Sequence, residues 1–351
     1  MSLLSLDNSR KTMDLVQKIY ERQMEEDPRL NQDLDDRRKR LMIKDIHYNF
    51  DNLIAAATHQ SSNILIGHVR WLIGLLAYRM DDFSLERIKG FMKVHYRIMI
   101  NAVKESEPSF ESVLAPFEHE VEKCIETFEL TSFSYLDGIR LENYSRKYLE
   151  ALLNRDRKKA WQWVKGALDA GVTLEGIYLE LFSPVMHEIG RLWHQNQIGI
   201  DKEHYATAVT QGVMSQLYSK IFATQKTGKT MVGMSVGNEL HEMGIRMLCD
   251  LFEINGWDTI YLGAAVPQES LINSLEEYKP DLIALSVTMP NHLNECKATI
   301  QAIKTDERFQ HVKIAVGGTA VEMDKTLREK WQVDVMANTF EELKKWWLDN
   351  E

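Results

Sequence analysis

Cysteine is scarce in this chain of 351 residues: Cys124, Cys249 and Cys296 stand far apart, with no CxxC pair. That spacing offers neither a disulfide framework nor a zinc or dithiol site, so the thiols read as core or helix-face groups in a reducing compartment. No apolar run approaches the ~20 residues needed to cross a bilayer. The longest stretch, Trp71 to Met80, is interrupted by Arg79 and flanked by Arg70 and Asp81. The N-terminus also lacks the basic-then-apolar pattern of a signal peptide. These absences predict a cytoplasmic protein without a membrane partner. Basic charge is short as well: 42 Lys and Arg against 52 Asp and Glu leave a formal charge of -10, which argues against a general nucleic-acid-binding surface.

The length suits two or three domains, each able to bury its own core. Across residues 1–135 the apolar positions recur at helical spacing, as in Ile43, Ile46, Phe50, Leu53 and Ile54 and again in Ile64, Leu65, Val69, Leu72, Leu75 and Leu76. Pro28, Asp81 to Ser84, and Glu105 to Phe110 read as breaks or caps. A second helical block, residues 141–221, has turns at Asn154 to Asp156, Gly171 to Thr173 and Ile198 to Asp201, which predicts a four- to five-helix bundle. Ala223 to Lys229 reads as a linker. Residues 230–351 then alternate short apolar runs with helices: Met231 to Val236, Thr259 to Leu262, Leu282 to Val287, Ile314 to Val316 and a weaker Val333 to Met336. The expected fold is therefore multidomain α plus α/β, ending in a doubly wound, flavodoxin-like parallel sheet that binds ligands beyond its C-terminal strand ends.

Directly after the first strand comes Glu239-Leu240-His241-Glu242-Met243-Gly244, which puts His241 at that ligand edge. A histidine so placed is by itself more often a capping or surface residue. Ser286 and Thr288 end the third strand, and Gly317-Gly318 end the fourth; alone, these are polar strand ends and a glycine turn. Taken in order, the segment resembles the D-x-H-x-x-G motif of B12-binding domains, with Glu239 in place of the commoner aspartate. The resemblance implies that His241 is the lower axial ligand of a cobalamin cobalt. Neutral imidazole suits cobalt, and a carboxylate on its other N–H would fix the tautomer, the role expected of Glu239. Gly244 would admit close backbone approach, Ser286 and Thr288 would bond the nucleotide side, and Gly317 and Gly318 would leave it room.

The preceding bundle resembles the helical cap of methionine synthase, corrinoid methyl carriers and B12 photoreceptors, most recognisably in Leu181 to Trp193. Trp193 is followed after nine residues by Glu203-His204, an arrangement similar to that of adenosylcobalamin-dependent photoreceptors of the CarH/LitR type. There the tryptophan packs over the adenosyl group, the Glu-His pair lines the same cavity, and a histidine at the position of His194 takes the upper cobalt site after photolysis. The plainer readings are a core tryptophan and a helix-capping pair.

Nothing in Met1 to Thr127 resembles the MerR-like DNA-binding module of those photoreceptors, so the output expected is a protein partner or self-association through the helical N-terminal domain, without direct nucleic-acid binding. His59, His68 and His95 in that domain read as surface or satisfied core residues rather than ligands of a second cofactor. The expectation is a non-enzymatic adenosylcobalamin light sensor. Its alternative is a corrinoid methyl carrier of a methyltransferase system, using methylcobalamin and sharing the cap, the histidine loop and the glycine pair. A B12 mutase would need a substrate barrel of ~250 residues, for which the chain has no place.

Overall fold

The computed structural model describes residues 9–350. They fall into two compact units, Met1–Leu130 and Thr131–Glu351, and no helix among the described residues is long and apolar enough to cross a membrane.

The first unit is all helical: α1 (Ser9–Glu26), α2 (Pro28–Asp33), α3 (Asp36–Thr58), α4 (Ser62–Arg79), α5 (Leu85–Ser106), α6 (Glu111–Leu114) and α7 (Phe117–Glu126). Its breaks carry their own caps. The Asp27, Asp35 and Ser84 side chains accept backbone N–H bonds from Leu30, Arg38 and Arg87, satisfying donors that a helix start leaves free. The core is apolar, with Leu53, Ile64, Ile73 and Ile88 fully buried, but a polar chain crosses it. His95 Nδ1 lies 2.7 Å from Gln23 Oε1, His95 Nε2 3.1 Å from Asn49 Nδ2, and His68 Nε2 2.9 Å from Asn49 Oδ1. Gln23, Asn49, His68 and His95 come from α1, α3, α4 and α5, and all are buried. These contacts satisfy His68 and His95 as core residues, as the sequence suggests.

The second unit begins with the segment that leads into the bundle, where Leu136 is fully buried. The bundle comprises α8 (Glu142–Leu153), α9 (Arg157–Asp169), α10 (Leu174–Ile177), a π-helical turn (Tyr178–Phe182), α11 (Ser183–His194), α12 (Ile200–Ser215) and α13 (Tyr218–Ile221). Asp156 and Thr173, in two of the expected turns, cap α9 and α10. The α/β part follows as β1 (Thr230–Ser235), α14 (Met243–Ile254), β2 (Asp258–Gly263), α15 (Gln268–Tyr278), β3 (Leu282–Ser286), α16 (Leu293–Thr305), β4 (Lys313–Gly317), α17 (Thr319–Glu322), α18 (Leu327–Trp331), β5 (Val335–Met336) and α19 (Phe340–Asn350). All five expected strands form, and they pair in parallel in the order β2-β1-β3-β4-β5. That order reverses direction between β1 and β3, and the crevice beyond their C-terminal ends is where an open α/β sheet takes its ligand. Bundle and sheet share one core: Tyr178, Phe182 and Val185 pack in the same cluster as Cys249, Phe252 and Ala284.

Candidate functional site

The crevice is lined by small residues in register. Ser235 of β1 pairs with Ser286 of β3, and Ser286 with Gly317 of β4, while Gly263 ends β2 opposite Met234. This row leaves space along the sheet edge. Two glycines shape it. Gly237 has φ +77, and a Cβ there would lie 2.2 Å from His292 Nδ1; Gly318 has φ +103, and its Cβ would lie 2.4 Å from the Val287 carbonyl oxygen. At Gly317 a Cβ would meet the Ala337 carbonyl oxygen at 2.4 Å. The Gly-Gly pair is therefore required by the neighbouring main chain, in addition to any ligand. Gly244, in the first turn of α14, faces open space, so no close backbone contact of this chain demands it.

This contrast gives a direct prediction. Gly318→Ala places an L side chain in a strained, crowded conformation and should destabilise the protein by on the order of 3 kcal/mol. Gly244→Ala should cost nothing, since alanine is the better helix former. Chemical denaturation of both variants checks this, and equal losses would refute it.

His241 lies in the loop between β1 and α14 with its side chain exposed, next to Leu240 at 81% exposure. Glu239 behaves differently from the expectation. It is buried, and Oε1 accepts from the Ser235 hydroxyl at 3.3 Å and the Thr288 N–H at 2.9 Å, while Oε2 accepts from the Met289 N–H at 2.8 Å. Both oxygens are thus spent on β1 and the turn after β3, not on the imidazole. The side chain is one methylene longer than aspartate, which lets it span the crevice and fasten the His241 loop to the Thr288 turn. Ser286 and Thr288 are half-buried at that turn.

Above the loop stands α12. Glu203, Thr207, Gln211 and Ser215 recur every four residues and so share one helix face. At its lower end Gln211 Nε2 reaches Glu242 Oε1 at 3.4 Å, and Arg246 of α14 reaches the Ser215 hydroxyl at 3.2 Å. Glu203 lies two turns further along, about 12 Å by helix geometry. Its carboxylate takes the Thr207 hydroxyl at 3.2 Å and pairs with His204 Nδ1 at 2.6 Å, His204 being mostly exposed. Trp193 and His194 close α11, half-buried, with Trp193 packed on the core cluster. The structure therefore places His241, Glu239, Ser286, Thr288, Gly317 and Gly318 at one sheet edge. Trp193, His194, Glu203 and His204 sit where the last turn of one bundle helix meets the first turns of the next.

Several residues escape a reading of the sequence. Glu188 of α11 is buried; burial raises its pKa, but the bidentate Arg191 guanidinium and the Tyr135 N–H at 3.0 Å outweigh this and hold it below the usual range. It ties the entering segment to the helix that ends in Trp193 and His194. Gly237 carried a local signal, the Gly237-Asn238 turn dipeptide; Gln211 with Glu242, and Tyr178 with Asp250, are pairs distant in sequence and carried none.

A corrin ring supplies four equatorial nitrogens itself, so one exposed imidazole at an open crevice is the donor set a corrinoid asks of a protein. The residues present fit that group. Comparison with known proteins agrees. A model of the B12 binding domain matches residues 229–344, and a second B12 binding domain model matches residues 144–218. Trimethylamine corrinoid protein 1 of Methanosarcina acetivorans is 24% identical over 188 residues, covering 52% of this chain and 86% of that protein. Dimethylamine corrinoid protein 1 of the same organism is 25% identical over 157 residues, covering 44% and 71%. The structure of the Methanosarcina barkeri monomethylamine corrinoid protein superposes with a TM-score of 0.53 at 20% identity, over 60% of this chain and all of that one, which shows a shared fold. The chain thus carries a B12-binding domain behind a helical B12-binding cap, the cobalamin-binding architecture of the methionine-synthase type.

Proposed function

We propose that the chain is a corrinoid methyl carrier, a protein that holds a methyl group on its cofactor between two methyltransferases and catalyses neither step itself. The observation that carries this is the extent of the match: the aligned 52% of this chain takes in 86% of a protein named for a corrinoid and a methylated amine. This reading replaces light sensing, which rests on Trp193, His194, Glu203 and His204, with Glu239 in place of aspartate and the long N-terminal domain as the features set against a carrier.

When bound, the cobalt supplies a centre that accepts a methyl group as a cation equivalent and gives it up again. The chain's own residues hold that centre. His241, on an exposed loop, would hold the group through its imidazole, and Glu239 fixes the loop by its grip on Thr288 and Met289. Gln211 and Glu242 meet at 3.4 Å where the cap reaches the loop. Trp193 packs on the core cluster at the end of α11, and Glu203 and His204 hold each other at the start of α12. A protein partner would be the methyltransferase that docks on the cap. The N-terminal helical unit would serve as a further contact surface.

The test is a reconstitution with reduced cobalamin and a panel of purified methylamine:corrinoid methyltransferases, each with its amine. Transfer breaks the carbon–nitrogen bond, the amine keeps the electron pair, and the absorption spectrum should move from the reduced to the methylated form with at least one panel member. If no member methylates the protein, while green light changes the oligomeric state of its adenosylcobalamin form, the carrier reading fails and the photoreceptor reading stands.

A further inference from the structure

Cap and α/β domain touch through several polar pairs that stay open to water: Gln211 with Glu242, Asn255 with Glu175 at 3.3 Å, and Lys344 with Glu175 at 3.8 Å. One pair is buried. The Tyr178 hydroxyl donates to Asp250 Oδ2 at 2.7 Å, with Tyr178 fully buried and Asp250 7% exposed. Tyr178 opens the π-helical turn before α11, the kind of local widening that recurs at functional sites. Asp250 lies on α14, the helix that begins just after the His241 loop. The pair thus joins the cap to the helix that follows the exposed His241 loop.

We propose that Asp250, buried against Tyr178, acts as a proton-operated latch for the cap on α14: closure buries its carboxyl, so the closed arrangement is favoured when Asp250 is protonated and disfavoured when it is ionised. A buried carboxylate is costly to ionise. The groups facing it are Tyr178 from the π-helical turn, Tyr218 from α13, and Arg246, Cys249 and Glu253 from its own helix. Glu253 is in turn engaged by Lys226 and by Thr259. Burial pushes the Asp250 carboxyl up to about 6, against the opposing pull of the Tyr178 hydroxyl and the Arg246 charge. Lifting the cap returns it to water and toward the ordinary 3.8.

The sign follows from that difference. A group whose pKa is raised in the closed state favours closure fully below the open-state value, and the advantage is lost as pH rises through about 6. Between pH 7.5 and pH 5 the ratio of closed to open cap should rise roughly tenfold. Acidification would thus favour the closed cap.

The latch can be read on the cofactor-free full chain, so its failure leaves the methyl-carrier reading untouched. Spin labels at Lys158→Cys and Glu277→Cys, both exposed, report the cap-to-sheet distance; Cys124, Cys249 and Cys296 are buried and do not compete. Pulsed electron–electron resonance should show the closed population growing from pH 7.5 to pH 5. Asp250→Asn should hold the cap closed at both pH values. Tyr178→Phe, which removes the hydroxyl that favours the ionised form, should move the midpoint upward, a shift that lost packing alone would not cause. Identical distance distributions at both pH values, or an unchanged pH response in Asp250→Asn, would overturn the proposal. Should Asp250→Asn fail to fold, the midpoint of Tyr178→Phe decides alone, and an unmoved midpoint counts against the latch.

Discussion

His241→Ala should lower cobalamin affinity at least ~100-fold and remove the nitrogen splitting from the electron paramagnetic resonance spectrum of the bound Co(II) form. Loss of a group that only supports a metal ligand typically costs about 10–100-fold, and loss of the ligand itself should exceed that. The surroundings of His241 favour ligation. The side chain is already in solvent and makes no hydrogen bond or ion pair among the described residues, so no internal bond has to break before a metal can bind. Its loop is fixed in advance by the three bonds of Glu239 and by the left-handed turn at Gly237, which removes much of the ordering cost of binding. Glu239→Gln supplies the control. An amide keeps one acceptor but turns an NH2 group toward a backbone N–H, so the loop should loosen, affinity should fall by less than in His241→Ala, and the nitrogen splitting should remain. Retention of that splitting in His241→Ala would show that another donor binds the cobalt.

The sequence made the α/β half legible because its strands are short apolar runs between turn signals, and even the two-residue β5 lay inside the Val333 to Met336 run. The histidine loop was legible because a strand-to-helix turn fixes its place by topology alone. What could not be read was the direction of individual side chains. Glu239 is two residues from His241, which suggests that they pair, yet its partners Thr288 and Met289 lie 49 and 50 residues on. Tyr178 and Asp250 are 72 apart. Periodicity marks which face of an element is buried but not which polar atoms meet across two elements, so bonds of this kind emerge only from the packed fold. The helical unit shows the same limit: His68 and His95 were placed on helices from the pattern, and only the structure supplies the Asn49 and Gln23 contacts that account for them, while His59 lies buried in the turn that ends α3 rather than within a helix.

Those contacts carry the second large effect. Asn49→Leu should destabilise the N-terminal unit by on the order of 2–6 kcal/mol, since it leaves one ring nitrogen each of His95 and His68 buried without a partner, at about 1–3 kcal/mol each. The network also predicts acid lability. Burial lowers the His68 pKa to about 3, with the nearby His95 contributing, and burial lowers that of His95 to about 4. The unfolded chain takes up protons near the ordinary 6.5; a depressed folded pKa means that the stabilisation is complete above that value and is lost as pH falls through about 4 and then about 3. Between pH 6 and pH 4 two protons separate the states, a slope of up to about 2.7 kcal/mol per pH unit. The N-terminal unit can be followed separately in the whole protein. Trp71 is the one tryptophan within Met1–Leu130, and it stacks on His68 with ring centroids 6.1 Å apart. Fluorotryptophan NMR should therefore resolve its unfolding from that of the corrin-binding unit. A stability of the Trp71 signal that changes by less than one proton's worth across this window would show that the two histidines stay accessible to protons in the folded state.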